Sequence, residues 1–304
     1  MYFAIAKLLR ARFICFMQQA YHAICPLGVV PLRAGAHHRS ELLSQLLFGE
    51  LVEIVDKRGK QWTKVRCTWD EMSGWVLSEQ LLPLTPSEFT RYSQHYALCL
   101  DLLQPVMSGL RQIPVPIGSR LPNFDGLRFE LAGEWWTYSG QAVFPKDLPP
   151  RADLLIKIAR RYLSAPFLQG GRSPLGIDSG GLVQLAFGAV GIALPRAPIA
   201  QVLEGQEVDF FEEYQPGDIA FFENAKGQLV HAGILLPDGQ VLHCHECVRI
   251  DKVDHFGIFD RQRNRYLFQL RVIRRMLPPQ CPCPRPDTAQ RAATPSSANV
   301  LTLF

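Results

Sequence analysis

No uninterrupted apolar run of about 20 residues occurs in the chain, so an ordinary transmembrane helix is excluded. Nor does the start read as a good secretory signal. The N-terminal apolar stretch is broken by Lys7, Arg10 and Arg12, and no small-residue cleavage site follows it. Charge of one sign is scarce too. The net charge is +4 over 304 residues: residues 1–16 contribute +3, and Arg285, Arg291 and Asp287 contribute +1 to residues 278–304. The body between them sums to zero, which speaks against a nucleic-acid partner, since such a protein needs a clustered basic face. Cysteines are few, at 15, 25, 67, 99, 244, 247, 281 and 283, and form no dense framework. Reduced thiols in a cytoplasmic protein are the expectation. With 47% hydrophobic residues, the chain is too apolar to be disordered, and its length suits about two domains.

The ends differ from the body. Three cations among aliphatics in residues 1–16 allow an amphipathic surface segment. The reading taken is that these residues are an extension upstream of a start at Met17. Residues 278–304 are rich in Pro, Ser, Thr and Ala and are expected to be disordered.

Residues 17–85 read as short strands separated by turns, including Val29 to Leu32, Leu51 to Val55, a Lys57–Lys60 turn, and Trp62 to Arg66. This suggests a small barrel. Residues 28–66, with the later Gly-Trp-Val-Leu at 74–77, resemble a bacterial SH3 domain of the kind attached to cell-wall hydrolases. Thr85-Pro86-Ser87-Glu88 is a capping box with proline at the first helical position, and a connector helix is expected over 86–106. Residues 107–148 return to extended pieces and are read as a second, degenerate SH3-like unit. Residues 149–277 begin with an amphipathic helix, in which Leu154, Leu155, Ile158, Ala159 and Tyr162 keep helical spacing. A second helix near 180–190 and then several strands follow, an α+β pattern.

The chemistry concentrates in four ordered motifs. Residues 166–184 contain Phe167-Leu168-Gln169-Gly170-Gly171, then Asp178-Ser179-Gly180-Gly181. Pro216-Gly217-Asp218, Val230-His231-Ala232 and Val241-Leu242-His243 follow, with Val248 to Asp251 completing a hairpin. Together these resemble the NlpC/P60 cysteine peptidases, whose nucleophile motif is close to Tyr-x-Trp-Gly-Gly, a spacer, then Asp-Cys-Ser-Gly. The resemblance implies an α+β papain-like domain, with helices packed on an antiparallel sheet, behind SH3-like β-barrels. It implies no cofactor. The nucleophile position is Ser179, His231 would be the base, and His243 would orient it. A nucleophile at a helix N-terminus feels the positive end of the dipole, which favours a thiolate.

Members of the family with such SH3 domains cleave peptidoglycan peptides between γ-D-Glu and the diamino acid. They typically need a free N-terminal L-Ala, as in muropeptide recycling. The resemblance therefore implies small cell-wall peptides as partners. The implied substrate site comprises Asp178, which would hold the ammonium, Gly180 and Arg172, with Met72 and Trp75 from the SH3 domain. As the residue before the helix, Asp178 reads equally as an N-cap.

This chain departs from the pattern at its centre. Serine stands where the family has cysteine, Gly180 replaces the next serine, and Met72 replaces a tyrosine. A hydroxyl cannot be held as an alkoxide by a dipole and an imidazole, so activity is expected to be impaired. Three readings stay open: a silent peptide-binding relative, a weak serine hydrolase, or a site rescued by another thiol such as Cys244. Strand alternation turns Cys244 away from the face of His243. The run His243-Cys244-His245-Glu246-Cys247, with Cys281 and Cys283, also raises a zinc hairpin as a competing reading.

Overall fold

The computed structural model describes residues 21–279. The expectations for residues 1–16, Met17 and the tail beyond Pro279, with Cys15, Cys281 and Cys283, fall outside the described residues.

Alternation builds the first unit. In the strand Val29–Arg33 the buried positions are Val30 and Leu32, and in Trp62–Cys67 Val65 and Cys67 turn inward. Seven antiparallel strands run in the spatial order Leu42–Leu47, Val29–Arg33, Ser73–Leu77, Trp62–Cys67, Leu51–Arg58, His22–Ile24, Leu82–Leu84. Their inner faces enclose Ala23, Val30, Leu32, Leu46, Val52, Val65 and Val76.

Helix α1, Pro86–Gln94, starts where the capping box places it. Glu88 N donates to Thr85 Oγ1 at 3.3 Å, and Thr85 N donates back to Glu88 Oε2 at 2.8 Å. It does not run on to 106. The chain becomes extended at His95, and Tyr96–Cys99 pairs with Arg120–Pro122 and Ala142–Val143. The buried run Ala97 to Cys99 is better satisfied in a sheet, and Pro105 would have broken the helix. The second set of strands thus begins at Tyr96, not at 107. Its other sheet, Arg111–Pro116, Leu103–Ser108, Glu134–Thr137 and Arg128–Leu131, shares one core with the first unit, where Ile24, Phe48 and Leu51 meet Val106, Leu121, Phe129 and Trp136.

The third unit packs α2, Ala152–Arg160, and α3, Ser179–Ala189, against one face of a sheet; a short α4, Pro198–Gln201, follows. In α3 every residue but Gly188 is buried, as a helix apolar on all sides requires. The sheet is antiparallel, in the order Gln206–Val208, Arg265–Arg275, Ile219–Glu223, Leu229–Leu236, Gln240–His245, Cys247–Val253, Gly257–Asp260. Gly257–Asp260 also pairs with Arg265–Arg275, so six of the strands close into a barrel. The expected helices on an antiparallel sheet are present, with more strand and more curvature than a flat layer.

The units are locked together. Arg172 makes a two-pronged ion pair with Glu50, both bonds at 2.9 Å, with both side chains 2% exposed. Leu47 from the first unit and Leu98 and Ile117 from the second enter the core under α2 and α3.

Candidate active site

Ser179 is the first residue of α3, and the residue before it caps the helix. Asp178 has extended backbone angles, and its Oδ1 accepts from Gly181 N at 2.8 Å. The first-turn N–H groups of Ser179 and Gly180 have no intrahelical acceptor and point along the positive end of the dipole. Ser179 is buried, and its Oγ accepts from Ala232 N at 3.4 Å. That bond places the hydroxyl beside the strand carrying His231. Among the described residues, no hydrogen bond joins Ser179 Oγ to the His231 ring.

His231 and His243 sit on consecutive, paired strands and side by side in space. His231 Nε2 lies 2.8 Å from His243 Nδ1, and His243 Nε2 lies 2.9 Å from Asp251 Oδ2. Arg249 grips the same carboxylate, with Nε 2.7 Å from Oδ2 and Nη2 2.8 Å from Oδ1. Phe268 stacks flat on His231, with ring centroids 4.3 Å apart and an interplanar angle of 4°. Burial pushes His231 well below the ordinary imidazole range, and His243 and His245 add to the effect. Burial also lowers His243, outweighing the hydrogen bond and charge of Asp251. For Asp251 burial acts upward, but the bonds from His243 and Arg249 more than offset it and hold the carboxyl below its usual range. The pair of imidazoles is therefore neutral near pH 7, beside a carboxylate that is charged.

Other site residues expected from the sequence take different places. Asp178 faces Arg196, which donates Nη1 to Oδ1 at 2.8 Å and Nη2 to Oδ2 at 2.7 Å. With Gly170 N at 2.7 Å and Gly181 N, all four acceptor positions of that carboxylate are filled. A substrate ammonium on Asp178 would have to displace one of these donors. Arg172 does not face a substrate: it is buried against Glu50 and takes Gln45 O as a further partner at 2.6 Å. The Met72 side chain packs on the core of the first unit. Trp75 lies half-buried on its strand, opposite Arg33 and Lys64. No hydrogen bond or ring contact among the described residues joins Met72 or Trp75 to Ser179. Gly180 is where the backbone needs it, because a Cβ there would lie 2.6 Å from Arg196 O and 2.9 Å from Pro198 Cδ.

The thiol and zinc readings meet geometry. Cys244 points into the core, its Sγ donates to Ile177 O at 3.1 Å, and burial, with Asp178 and Cys247, pushes its thiol up to about 12. It is neither a thiolate nor on the face of His243. The same alternation keeps His243 and Cys244 from sharing a metal. Arg196 and Asp251 were the residues the sequence did not single out as site members. A signal existed for Asp251: it lies two residues past Arg249, the register partner of His243, and so on the same face of its strand.

Comparison with known proteins identifies the two domains. Residues 164–264 match the NlpC/P60 family, and residues 32–81 match the bacterial dipeptidyl-peptidase SH3 domain. A gamma-D-glutamyl-L-lysine dipeptidyl-peptidase of Bacillus cereus is 27% identical over 229 residues, covering 67% of each chain. The dipeptidyl-peptidase 6 of Lysinibacillus sphaericus is 26% identical over 228 residues, 68% of this chain and 80% of the other. A probable endopeptidase of Mycobacterium tuberculosis is 37% identical over 114 residues, but the match spans only 28% of that protein. Among solved structures, an NlpC/P60 family protein from Bacillus cereus superposes with a TM-score of 0.71 at 23% identity, covering 84% of this chain and all of its own. That likeness shows the same fold. The chain thus contains a bacterial SH3 domain and an NlpC/P60 domain, and Ser179 opens a helix within the latter.

Proposed function

We propose that the chain acts on peptidoglycan peptides at the bond between γ-D-Glu and the diamino acid, with hydrolysis impaired by the serine at position 179. The Bacillus cereus relative named gamma-D-glutamyl-L-lysine dipeptidyl-peptidase supports the substrate class. The observation carrying the impairment is Ser179 itself: a hydroxyl at the helix N-terminus, bonded to a backbone N–H and not to the base. The expected chemistry is acyl transfer. Ser179 Oγ attacks the carbonyl carbon while its proton passes to His231. The carbonyl oxygen takes the negative charge against the N–H groups of Ser179 and Gly180. As the C–N bond breaks, the leaving amine takes the proton from His231, and water then releases the acyl group by the same steps in reverse. A thiol would enter this site as a thiolate, favoured by the dipole, whereas the hydroxyl must lose its proton during the attack.

The test is hydrolysis of L-Ala-γ-D-Glu-diaminopimelate by the chain and by Ser179→Cys. The expected result is cleavage at least about 100-fold faster by the cysteine form, the order by which one misfitted catalytic group slows such a site. Equal rates would overturn the impairment. A second reading, a module that binds such peptides without cleaving them, rests on the same missing Ser179–His231 bond. It predicts equal peptide affinity in both forms and no turnover by the serine form. The proposed setting is the cytoplasm, supported by five unpaired cysteines among the described residues.

A further inference from the structure

Beyond the three residues that the nucleophile motif and its two histidines supply, the barrel holds a charged pair with no assigned part. We propose that Asp251, clamped by Arg249, is a positioning residue that fixes the direction of the proton along the two imidazoles and so leaves a bare lone pair on His231 Nδ1. The proposal rests on the reading of His231 as the base.

An ionised carboxylate only accepts, so at 2.9 Å from Asp251 Oδ2 the His243 Nε2 must carry a proton. A neutral His243 then has no proton on Nδ1. That bare nitrogen lies 2.8 Å from His231 Nε2, which must therefore be the donor. A neutral His231 with its proton on Nε2 has an unprotonated Nδ1, the one of this pair's four ring nitrogens with no protein partner among the described residues. One carboxylate thus sets both tautomers in series.

Arg249 makes the setting hard to reverse. Its Nη2 donates to Asp251 Oδ1 at 2.8 Å while His243 holds Oδ2, and its Nε charge lies 2.7 Å from Oδ2, so both oxygens must accept. An asparagine at 251 cannot meet that demand. With its oxygen toward His243, its amide group opposes Arg249 Nη2. With the amide group toward His243, donor and acceptor exchange along the chain: His243 becomes protonated on Nδ1, and His231 is left with its proton on Nδ1. The base then has no lone pair where the nucleophile's proton must go. Flanking contacts hold each ring in place for this exchange, since Phe268 stacks on His231 and His243 is fully buried.

The experiment records histidine ring nitrogens by two-dimensional proton–nitrogen NMR on the full chain labelled with 15N-histidine. The eight histidines are assigned with single His→Gln variants. In the unaltered chain near pH 7, both His231 and His243 are expected as the Nε2–H tautomer. Either ring found as Nδ1–H there overturns the proposal without any variant being needed. In Asp251→Asn both rings are expected to switch to Nδ1–H, and in Asp251→Glu to stay as they were; unchanged tautomers in Asp251→Asn also overturn it. Turnover supplies the second readout. In the Ser179→Cys background, Asp251→Asn is expected to lower kcat about 100-fold or more with little change in KM, as for a base held in the wrong tautomer. A change confined to KM contradicts it. Absence of cleavage in every background would count against the hydrolase reading, while the ring-nitrogen spectra would still decide this one.

Discussion

At residue 231 the strongest physical fact is that an imidazole is buried in its neutral form with a second neutral imidazole against it. In the unfolded chain both rings titrate near 6.5, whereas in the folded chain burial keeps them from taking a proton until the pH is lower. Below about 6.5 the unfolded state therefore binds more protons than the native state, and stability falls as the pH falls through that window. Urea unfolding at pH 7 and pH 5 should show this decline, and it should shrink in His231→Gln, which removes the more strongly shifted ring. An equal slope in both proteins would contradict the assignment. The same residue-by-residue logic applies to Gly180. Restoring the family's serine there looks harmless in sequence, yet its Cβ would meet Arg196 O at 2.6 Å. We expect Gly180→Ser to destabilise by about 1–3 kcal/mol, the range for overpacking a tight site, while Ser179→Cys is tolerated. Thermal melts of the two single variants distinguish them.

At the scale of elements, the start of α3 carries most of the site's organisation. Asp178 caps the helix and also neutralises Arg196, which is 3% exposed. Asp178→Ala removes a cap worth about 1 kcal/mol and strands a buried guanidinium, for a combined loss of about 3–5 kcal/mol. Asp178→Asn keeps the cap and should lose less; equal losses in urea titrations would show that the charge facing Arg196, and not the cap, carries the effect. The beginning of this helix was legible in the sequence because the motif around Asp178 and Ser179 is local. So were α1's capping box and the alternation that turns Cys244 inward. What escaped was non-local. The end of α1 depends on Tyr96–Cys99 finding partners at 120–122 and 142–143, which no window around Gln94 contains. Arg172 sits beside the glycine pair and looked like a substrate contact, but its partner Glu50 lies 122 residues away. The carboxylate of Asp178 looked free because Arg196 reaches it from beyond α3.

For the whole molecule, the Arg172–Glu50 pair joins two units through groups that water does not reach. Removing one partner leaves the other charged and buried, so Glu50→Ala should cost about 3–5 kcal/mol although it lies in a different domain from the nucleophile. Because Leu47, Leu98 and Ile117 also enter the core beneath α2 and α3, the loss should appear in a single calorimetric transition. Two separated transitions in the unaltered chain would show that the units unfold independently. An SH3 domain tied in this way is part of the NlpC/P60 domain's support and not a passenger.

The long strand Arg265–Arg275 bonds to Ile219–Glu223 along one part of its length and to Gly257–Asp260 along another, and it is the last strand described. During synthesis the nucleophile helix and both histidine strands leave the ribosome before this strand exists. Until it arrives, two strand borders stand open, and the ring that encloses the imidazoles cannot shut. Maturation of the site therefore waits until residues 265–275 have been made, and chains cut short before residue 265 should be the ones that pair edge to edge and aggregate.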